Sequence, residues 1–250
     1  MLSVIIITKN EEKKIRDCLE SVKWADEIVV VDAGSEDRTV QICKEYATIV
    51  VTEKWTGFGP QKNKALALAK GDWILSIDAD ERITDELQDE ILQTVAHPAD
   101  HNAFEIPRHS NYCGRFMKYS GWYPDYVLRL FKKDSGKFSD DLVHEKVVVA
   151  GKTGKLATPI RHYSFDNLDQ VIQKMNDYSS LSAENMHLNG KSASLGKAVG
   201  RGFWTFFRTY ILRLGFLDGK EGLMLAISNA EGTYYKYAKL ALKNKHPHEH

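Results

Sequence analysis

Two aspartates, Asp78 and Asp80, have the types and spacing best suited to chemistry in this sequence. They directly follow the apolar segment Trp73–Ile77, which is typical of a buried strand. Two carboxylates at such a strand end concentrate negative charge, and this is costly unless a cation binds there. Because hard oxygen ligands suit Mg²⁺ or Mn²⁺, the pair predicts a divalent metal site that binds a diphosphate. Taken alone, the triplet is also explained by chance or by helix capping.

Polar residues also follow two earlier apolar segments. Thr8 ends the predicted strand Leu2–Thr8, and Asn10 and Glu11 follow it. Asp32 follows the predicted strand Glu27–Val31. An acid at a strand end can accept a hydrogen bond from a nucleobase N–H or a ribose hydroxyl. Lys62 and Asn63 begin a predicted helix, where a lysine can reach a phosphate or a ribose. Helix capping or an exposed surface charge is the alternative interpretation of these groups.

Three groups in the second half of the chain are candidates for catalytic roles. Asp125 lies in the aromatic segment 121–126, and aromatic faces beside a carboxylate suit a sugar ring. Arg129, on the next predicted strand, is a candidate contact for a diphosphate or an acceptor. His144 and Glu145 stand side by side at a predicted strand edge, where a glutamate is a candidate general base. A loop anchor and a structural His–Glu pair are the alternatives.

The elements that position these residues alternate between strand and helix over the first hundred residues. Strands are predicted at Leu2–Thr8, Glu27–Val31, Thr48–Val51 and Asp72–Ile77, with helices at Glu11–Val22, Ser35–Glu45, Gln61–Ala69 and Thr84–Val95. The alternation predicts a parallel sheet with helices on both faces, which binds ligands at the carboxyl ends of its strands. Beyond residue 102, shorter strands are expected to extend the sheet with mixed or antiparallel partners. From Leu168 the chain is predicted to be helical.

The composition excludes several classes of protein. The 250 residues include 34 Lys and Arg, 34 Asp and Glu, and 43% hydrophobic residues, as in a globular protein. Nucleic-acid binding is not expected, because binders of this kind usually have a basic excess. Three widely spaced cysteines predict reduced thiols and a cytoplasmic location. No secretory leader or membrane span is predicted, because the apolar runs are short or interrupted by charge.

Four segments in chain order resemble the inverting, nucleotide-sugar-dependent glycosyltransferases of family 2, which have the GT-A fold. They are Ser3–Glu12, Val31–Thr39, Gln61–Leu66 and Asp78–Glu81. Further segments resemble the bacterial lipopolysaccharide core β-1,4-glucosyltransferase subgroup: Gly121–Asp125, Leu128–Phe131, Val143–Glu145 and Gly215–Gly219. The resemblance covers nearly the whole chain. It implies an α/β fold with a Rossmann-like, mainly parallel mixed sheet.

The resemblance also implies a division of the chain. A GT-A catalytic domain is expected over residues 1–165, with a nucleotide-sugar-binding half at 1–100 and an acceptor and catalytic half at 101–165. A helical, basic and aromatic region is expected at 166–250. The implied activity is metal-dependent transfer of a hexose, with glucose as the first candidate, from a UDP-sugar to an inner-core heptose. The alternatives are a family 2 transferase with another lipid-linked or cell-surface glycan, a nucleotidyltransferase, and a non-catalytic sugar-binding protein.

The resemblance further implies a role for each candidate residue. The uracil and ribose site would be lined by Thr8, Asn10 and Glu11, with Asp32 near the base. The nucleotide would also be flanked by Lys62 and Asn63. The metal would be held by Asp78 and Asp80. Asp80 is expected to be the better metal ligand. Many members have a second acid where this chain has Ala33, so Asp32 or Glu11 is expected to replace that contact. Glu145 is the expected base and Asp125 the reserve, while Arg129 or Lys62 stabilises the departing UDP.

The charge distribution suggests a second functional surface near the C-terminus. Residues 191–250 contain ten Lys and Arg against four Asp and Glu, whereas residues 1–190 have a net charge of −6. Aromatic residues between 203 and 210 interleave with Arg201, Arg208 and Arg213, as in a helix that lies in a membrane interface. Residues 200–215 are therefore expected to bind the inner face of the inner membrane and an anionic, lipid-linked acceptor. The alternative is packing on the catalytic domain or on a second subunit of a homo-oligomer.

Overall fold

The computed structural model of the chain describes residues 1–139 and 146–244. Its strands are Leu2–Thr8 (β1), Glu27–Asp32 (β2), Ile49–Thr52 (β3), Trp73–Asp78 (β4), Glu81–Arg82 (β5), His101–Tyr112 (β6), Arg115–Phe116 (β7), Asp125–Lys132 (β8), Gly136–Phe138 (β9), Val147–Val149 (β10), Lys152–Lys155 (β11) and Ile160–Phe165 (β12). Its α-helices are Ile15–Glu20 (α1), Thr39–Tyr46 (α2), Phe58–Leu68 (α3), Asp85–Ala96 (α4), Leu168–Leu188 (α5), Leu195–Phe207 (α6) and Gly219–Lys243 (α7). A π-helical turn, Arg208–Leu212, and a 3₁₀ turn, Gly215–Asp218, connect α6 to α7.

The strands form one large mixed sheet and a separate two-stranded hairpin. The order in the large sheet is β3-β2-β1-β4-β8-β6-β12-β5, with β7 and β11 also paired to β6, while β9 pairs with β10. The first four strands in this order are parallel, and β8 is antiparallel to both β4 and β6. The predicted α/β class, with a mainly parallel sheet and a helical C-terminal region, is confirmed.

The strand register brings the predicted site residues to one edge of this sheet. Thr8 lies opposite Asp32 on β2, and its neighbour Ile7 lies opposite Asp78 on β4. Parallel neighbours end on the same side, so the polar residues at their carboxyl ends converge. The sheet therefore places three candidate side chains next to one another although they are up to 70 residues apart in sequence.

Helices cover both faces of the sheet because the central strands are apolar on both sides. On β1, Val4 and Ile6 pack in one cluster with residues of α1, α2 and α4, whereas Ile5 packs in a second cluster with residues of α3. Alternate residues of a strand point to opposite faces, so a continuous apolar run supplies both clusters. The core thus fixes the sheet from which the site residues extend.

Two helices near the site begin later than the sequence pattern predicted. The first begins at Ile15 rather than Glu11, and the second at Thr39 rather than Ser35. The Ser35 hydroxyl is hydrogen-bonded to the Asp32 carboxylate, and the Ser35 N–H also donates to it. These polar side chains satisfy local backbone groups in turns, and such turns compete with a helical start.

The chain forms two compact units. The first comprises Met1–Arg108 and Asp125–His162, and the second comprises His109–Pro124 and the residues from Tyr163 onward. In the second unit, Asp218 is fully buried and accepts backbone N–H groups of Lys118 and Tyr119, at 3.1 and 2.9 Å. This contact explains why residues 109–124 pack with the C-terminal helices. The domain boundary expected near residue 165 stays a prediction.

Among residues 1–139 and 146–244, no helix is both long enough and apolar enough to cross a bilayer.

Candidate active site

A cleft of about 690 Å³ in the first unit contains several of the predicted site residues. The charged residues in its lining are Lys62, Arg108, Arg129 and Lys146, together with Asp78, Glu105 and Asp125. Residues 126–128, Phe138 and Val147 complete the lining. A partly enclosed cleft with four cationic side chains suits a multiply charged anion.

Asp78, at the end of β4, lies between two of these cations. Its Oδ2 accepts a hydrogen bond of 2.5 Å from Arg129, and its Oδ1 lies 3.2 Å from the Lys62 ammonium. Burial alone would raise the pKa of Asp78, but the positive charges of Arg129 and Lys62 outweigh it and hold this pKa well below its ordinary value. Asp78 is therefore an anion that links two cations of the cleft.

Glu81, to which the sequence pattern assigned no role, is a buried carboxylate that contacts both Asp78 and Arg129. It is fully buried, accepts the backbone N–H of Asp78 at 2.9 Å, and accepts a 2.6 Å hydrogen bond from Arg129. Burial lowers the pKa of Arg129, but the negative charges of Asp78 and Glu81 outweigh burial and raise this pKa above its ordinary value. Arg129 stays charged at the base of the cleft.

One polar atom of Arg129 still lacks a partner. Within the described parts of the chain, its Nε is buried and makes no hydrogen bond. A buried N–H without a partner is costly, and such groups occur at sites that bind a ligand or water. This N–H is a donor that a bound anion can use.

Asp80 and His162 form a hydrogen-bonded pair that is a candidate for holding a divalent metal ion. His162 Nε2 lies 3.2 Å from Asp80 Oδ2, and both side chains are largely buried. Burial raises the pKa of Asp80, but the hydrogen bond and charge of His162 outweigh it and lower this pKa. In residues 1–139 and 146–244, no group of three or more His, Cys, Asp or Glu could hold a metal. The Asp80 carboxylate nevertheless fits Mn²⁺ or Mg²⁺ when substrate phosphates supply further oxygen ligands, whereas the His162 imidazole is a ligand type that suits softer divalent ions.

The polar residues after β1 occupy the same edge of the sheet but do not line the cleft. Thr8 is buried, and its hydroxyl has no hydrogen-bond partner in the described structure. Asn10 has a φ of 54°, and its side chain accepts the Glu36 N–H at 2.8 Å. Burial, and then the negative charge of Asp80, raise the pKa of Glu11. The Thr8 hydroxyl is therefore left for a ligand.

Asp32 and Asn63 both make hydrogen bonds to the backbone, which fits a role in capping or holding the fold rather than in binding a nucleotide. Asp32 is fully buried and accepts the backbone N–H groups of Gly34 and Ser35, both at 2.9 Å. Asn63 forms two hydrogen bonds with the backbone of Phe138 and so connects α3 to β9. Their predicted nucleotide contacts stay predictions.

Asp125 is the candidate base that lies in the described cleft. Its side chain is about half exposed and accepts two hydrogen bonds from Arg108, at 3.1 and 2.6 Å. The other candidates, His144 and Glu145, lie outside the described residues. Their neighbour Lys146 lines the cleft, as does Phe138 on the paired strand β9.

The structure thus brings Lys62, Asp78, Asp125 and Arg129 together, and it adds residues that the sequence analysis missed. These are Glu81, Arg108 and His162. Arg108 and His162 lie in two of the shorter predicted strands, Phe104–His109 and Leu156–His162, and Glu81 directly follows the aspartate pair. All three share one signal in the sequence, which is a charged side chain at or near the end of a predicted strand. The aromatic segment 121–126 is divided, because Tyr126 lines this cleft whereas Trp122 lines a groove in the second unit.

Comparison with known proteins gives one consistent family. A model described as glycosyl transferase family 2 matches residues 3–148. An uncharacterized glycosyltransferase of Rickettsia typhi is 34% identical over 96% of this chain and 86% of its own length. The lipopolysaccharide core biosynthesis glycosyltransferase LpsC of Rhizobium meliloti is 29% identical over 97% of this chain and 95% of its own length.

Similar chains also occur among solved structures. The crystal structure of residues 1–349 of S. aureus TarS in complex with UDP-GlcNAc is 17% identical to this chain. It covers all of this chain and 93% of the TarS chain, with a TM-score of 0.49.

Proposed function

Because this chain belongs to glycosyl transferase family 2, we propose that it transfers a hexose from a UDP-sugar to a lipid-linked saccharide with inversion at the anomeric carbon. The observation that carries this proposal is the cleft at the carboxyl end of β4, in which Lys62 and Arg129 flank Asp78. The similarity to LpsC supports an acceptor in the lipopolysaccharide core. The subgroup resemblance narrows the proposal to glucose as the sugar and an inner-core heptose as the acceptor.

The proposed reaction is a single displacement. A carboxylate takes the proton from an acceptor hydroxyl, the oxygen attacks the anomeric carbon, and the bond to the UDP oxygen breaks. Lys62 and Arg129 provide fixed positive charge where negative charge develops on the departing diphosphate. Thr8, at the same sheet edge, supplies a free hydroxyl for the nucleoside. We place Glu145 as the base, with Asp125 as the second candidate.

Asp80 and His162 are the residues that would hold a divalent metal ion, with Asp78 beside them as a further candidate ligand. When bound, Mg²⁺ or Mn²⁺ neutralises negative charge on the diphosphate. The chain's own contribution is to hold the Asp80 carboxylate ionised, through its hydrogen bond to His162.

Release of UDP tests the proposed activity directly. The protein is incubated with Mn²⁺, a lipid-linked inner-core acceptor and UDP-glucose, UDP-galactose or UDP-GlcNAc in turn. Acceptor-dependent release of UDP from UDP-glucose is the expected result. No release from any of the three donors would overturn the proposal, and release from another donor alone would reassign the sugar.

Substituting the candidate bases assigns the catalytic carboxylate. Glu145→Gln is expected to lower kcat by about a hundredfold or more, because proton transfer by a positioned base contributes about 10²–10⁴. UDP affinity, measured by calorimetry, is expected to stay unchanged. Asp125→Asn is the comparison, since it changes the other candidate at constant volume. Full activity in Glu145→Gln with loss in Asp125→Asn would make Asp125 the base.

We also propose that the π-helical turn and the adjoining end of α6 bind an anionic membrane surface. Large apolar side chains are exposed there: Phe203, Trp204, Phe207, Ile211 and Leu214, with Phe203 72% and Trp204 50% exposed. Arg201 and Arg208 interleave with them. Apolar side chains flanked by arginines are the composition of helices that bind anionic lipid surfaces. Binding at the membrane surface would bring the enzyme close to an acceptor that is anchored there by its lipid.

Vesicle sedimentation tests the membrane proposal. The double variant Phe203→Ser/Trp204→Ser is expected to lower binding to phosphatidylglycerol vesicles by about tenfold or more, because it removes exposed apolar area that the membrane would bury. Binding to pure phosphatidylcholine vesicles is expected to be weak. Ile172→Ser/Leu181→Ser is the matched control, since both residues are exposed on α5. Equal loss in both double variants would contradict the proposal, and a changed oligomeric state would identify a subunit interface instead.

A further inference from the structure

A second concave site lies in the second unit, between α5 and α7. It is a groove of about 370 Å³. Tyr112, Trp122, Phe165 and Tyr178 supply aromatic side chains to its lining, and Val171 and Leu225 supply apolar ones. The rings of Trp122 and Phe165 are 6.3 Å apart and inclined by 36°, and both residues are only partly buried. These two rings therefore present partly open aromatic surface to the groove.

The lining of the groove also includes polar side chains. Ser182 and Asn229 line it, and neither side chain makes a hydrogen bond within residues 1–139 and 146–244. Ser228 is committed to Tyr112, with 2.9 Å between their hydroxyl oxygens. Ser182 and Asn229 thus keep donors and acceptors for a bound molecule.

Two lysines give the groove a positive charge. Lys174 on α5 and Lys236 on α7 both line it, and neither is ion-paired to a carboxylate among the described residues. Lys174 Nζ lies 5.1 Å from the centre of the Phe165 ring, so one cation lies beside an aromatic ring of the lining. Aromatic rings, free hydroxyl and amide groups, and unpaired ammonium groups together match the face, the hydroxyls and the anionic substituent of a charged sugar.

We propose that this groove binds an anionic saccharide, that is, a sugar bearing a phosphate or carboxylate group. Binding of an anionic sugar in this groove does not depend on the proposed sugar transfer. Identifying the sugar as part of the acceptor does rest on the proposed function. A hydrocarbon chain fits the groove less well. It would cover Ser182 and Asn229 without giving them hydrogen bonds, and burying polar groups unpaired is costly.

Calorimetry with the whole protein tests the groove, using glucose 6-phosphate as the probe. Glucose 6-phosphate is expected to bind at least about tenfold more tightly than glucose or inorganic phosphate, because the ring and the charge are both recognised. Lys174→Ala/Lys236→Ala is expected to weaken this binding by about tenfold or more. Asn229→Asp, which keeps the volume and adds a negative charge, is expected to weaken it similarly.

Matched variants separate charge in the groove from charge elsewhere. Lys191→Ala/Lys220→Ala removes two lysines of the same unit that do not line the groove, and it is expected to leave the affinity unchanged. UDP affinity and the thermal unfolding midpoint are measured for every variant to confirm folding. Equal weakening by both double variants would overturn the proposal. So would equal affinities for inorganic phosphate and glucose 6-phosphate, or displacement of the sugar phosphate by laurate regardless of Lys174 and Lys236.

The outcomes distinguish this inference from the proposed function. UDP-sugar turnover without lysine-dependent binding of glucose 6-phosphate would reject the groove and keep the transferase. Lysine-dependent binding without turnover of any UDP-sugar would reject the transferase and keep the groove. If both hold, Lys174→Ala/Lys236→Ala is expected to raise the acceptor KM with little change in kcat, as for the loss of uniform binding.

Discussion

Replacing Arg129 by alanine is expected to lower the free energy of unfolding by about 3–5 kcal/mol, because it leaves two carboxylates without their shared cation. Arg129 is 7% exposed, and it donates to Asp78 and to the fully buried Glu81. Removing one member of a buried ion pair leaves an uncompensated charge, which costs more than the pair itself contributes. Urea unfolding followed by circular dichroism measures this change.

A second variant separates buried charge from lost packing. Arg129→Met/Glu81→Gln removes the arginine and neutralises its buried partner, so it is expected to recover a large part of the stability lost in Arg129→Ala. Arg16→Ala is the surface control, because Arg16 pairs with Glu45 where both side chains are 46% exposed. Its effect is expected to be much smaller, since exposed ion pairs are screened by water. Similar losses in Arg129→Ala and Arg16→Ala would show that the buried cluster does not stabilise the fold.

Replacing Asp80 by alanine is expected to lower kcat of sugar transfer by about a hundredfold or more, in line with removal of one electrostatic contribution at a reacting centre. The physical reason is the loss of the carboxylate that pairs with His162 and would hold the divalent ion. The affinity for UDP, measured by calorimetry with Mn²⁺ and then with a chelator, gives a readout that does not depend on turnover. In the unchanged protein Mn²⁺ is expected to strengthen UDP binding, and in Asp80→Ala this gain is expected to disappear.

The control for this prediction is Asp89→Asn, which changes an exposed aspartate on α4. It is expected to retain both transfer and the effect of Mn²⁺. His162→Ala is expected to reduce the effect of Mn²⁺ as Asp80→Ala does. Transfer at the original rate by Asp80→Ala would contradict the metal assignment. An unchanged Mn²⁺ effect in both Asp80→Ala and His162→Ala would move the metal away from this pair.

The parallel half of the fold could be predicted because its signals are local. The apolar runs of β1, β2 and β4 lie close to their predicted bounds, and α4, with Thr84 as its N-cap, begins within one residue of its predicted start. Helix starts near the site were less predictable. Asp32 and Ser35 satisfy their hydrogen bonds in a turn, and residue type alone does not distinguish such a turn from a helix N-terminus.

The candidate site was predicted only in part, because its members come from distant segments. The acids after β4 are visible in sequence, but their partners are set by the tertiary fold. Arg129 reaches Asp78 because β8 pairs with β4, and His162 reaches Asp80 across 82 residues. Residues that are close in sequence also do not always share a site: Trp122 and Asp125 were expected in one aromatic and acidic segment, but they line different concave sites. Single-sequence patterns show which groups can react but not which groups meet.

The path of the chain between the two units constrains how relatives can exchange parts. The chain leaves the first unit after Arg108, returns at Asp125 and leaves again after His162. Consider a hybrid with a single junction near residue 162, in which the C-terminal helices come from another protein. Its residue 218 would come from one parent, whereas the backbone amides of Lys118 and Tyr119 that Asp218 accepts here would come from the other. An exchange that preserves both units therefore needs three junctions, so the segment 109–124 must be inherited together with the helices. Recombination within this family is expected to keep these two stretches from the same parent.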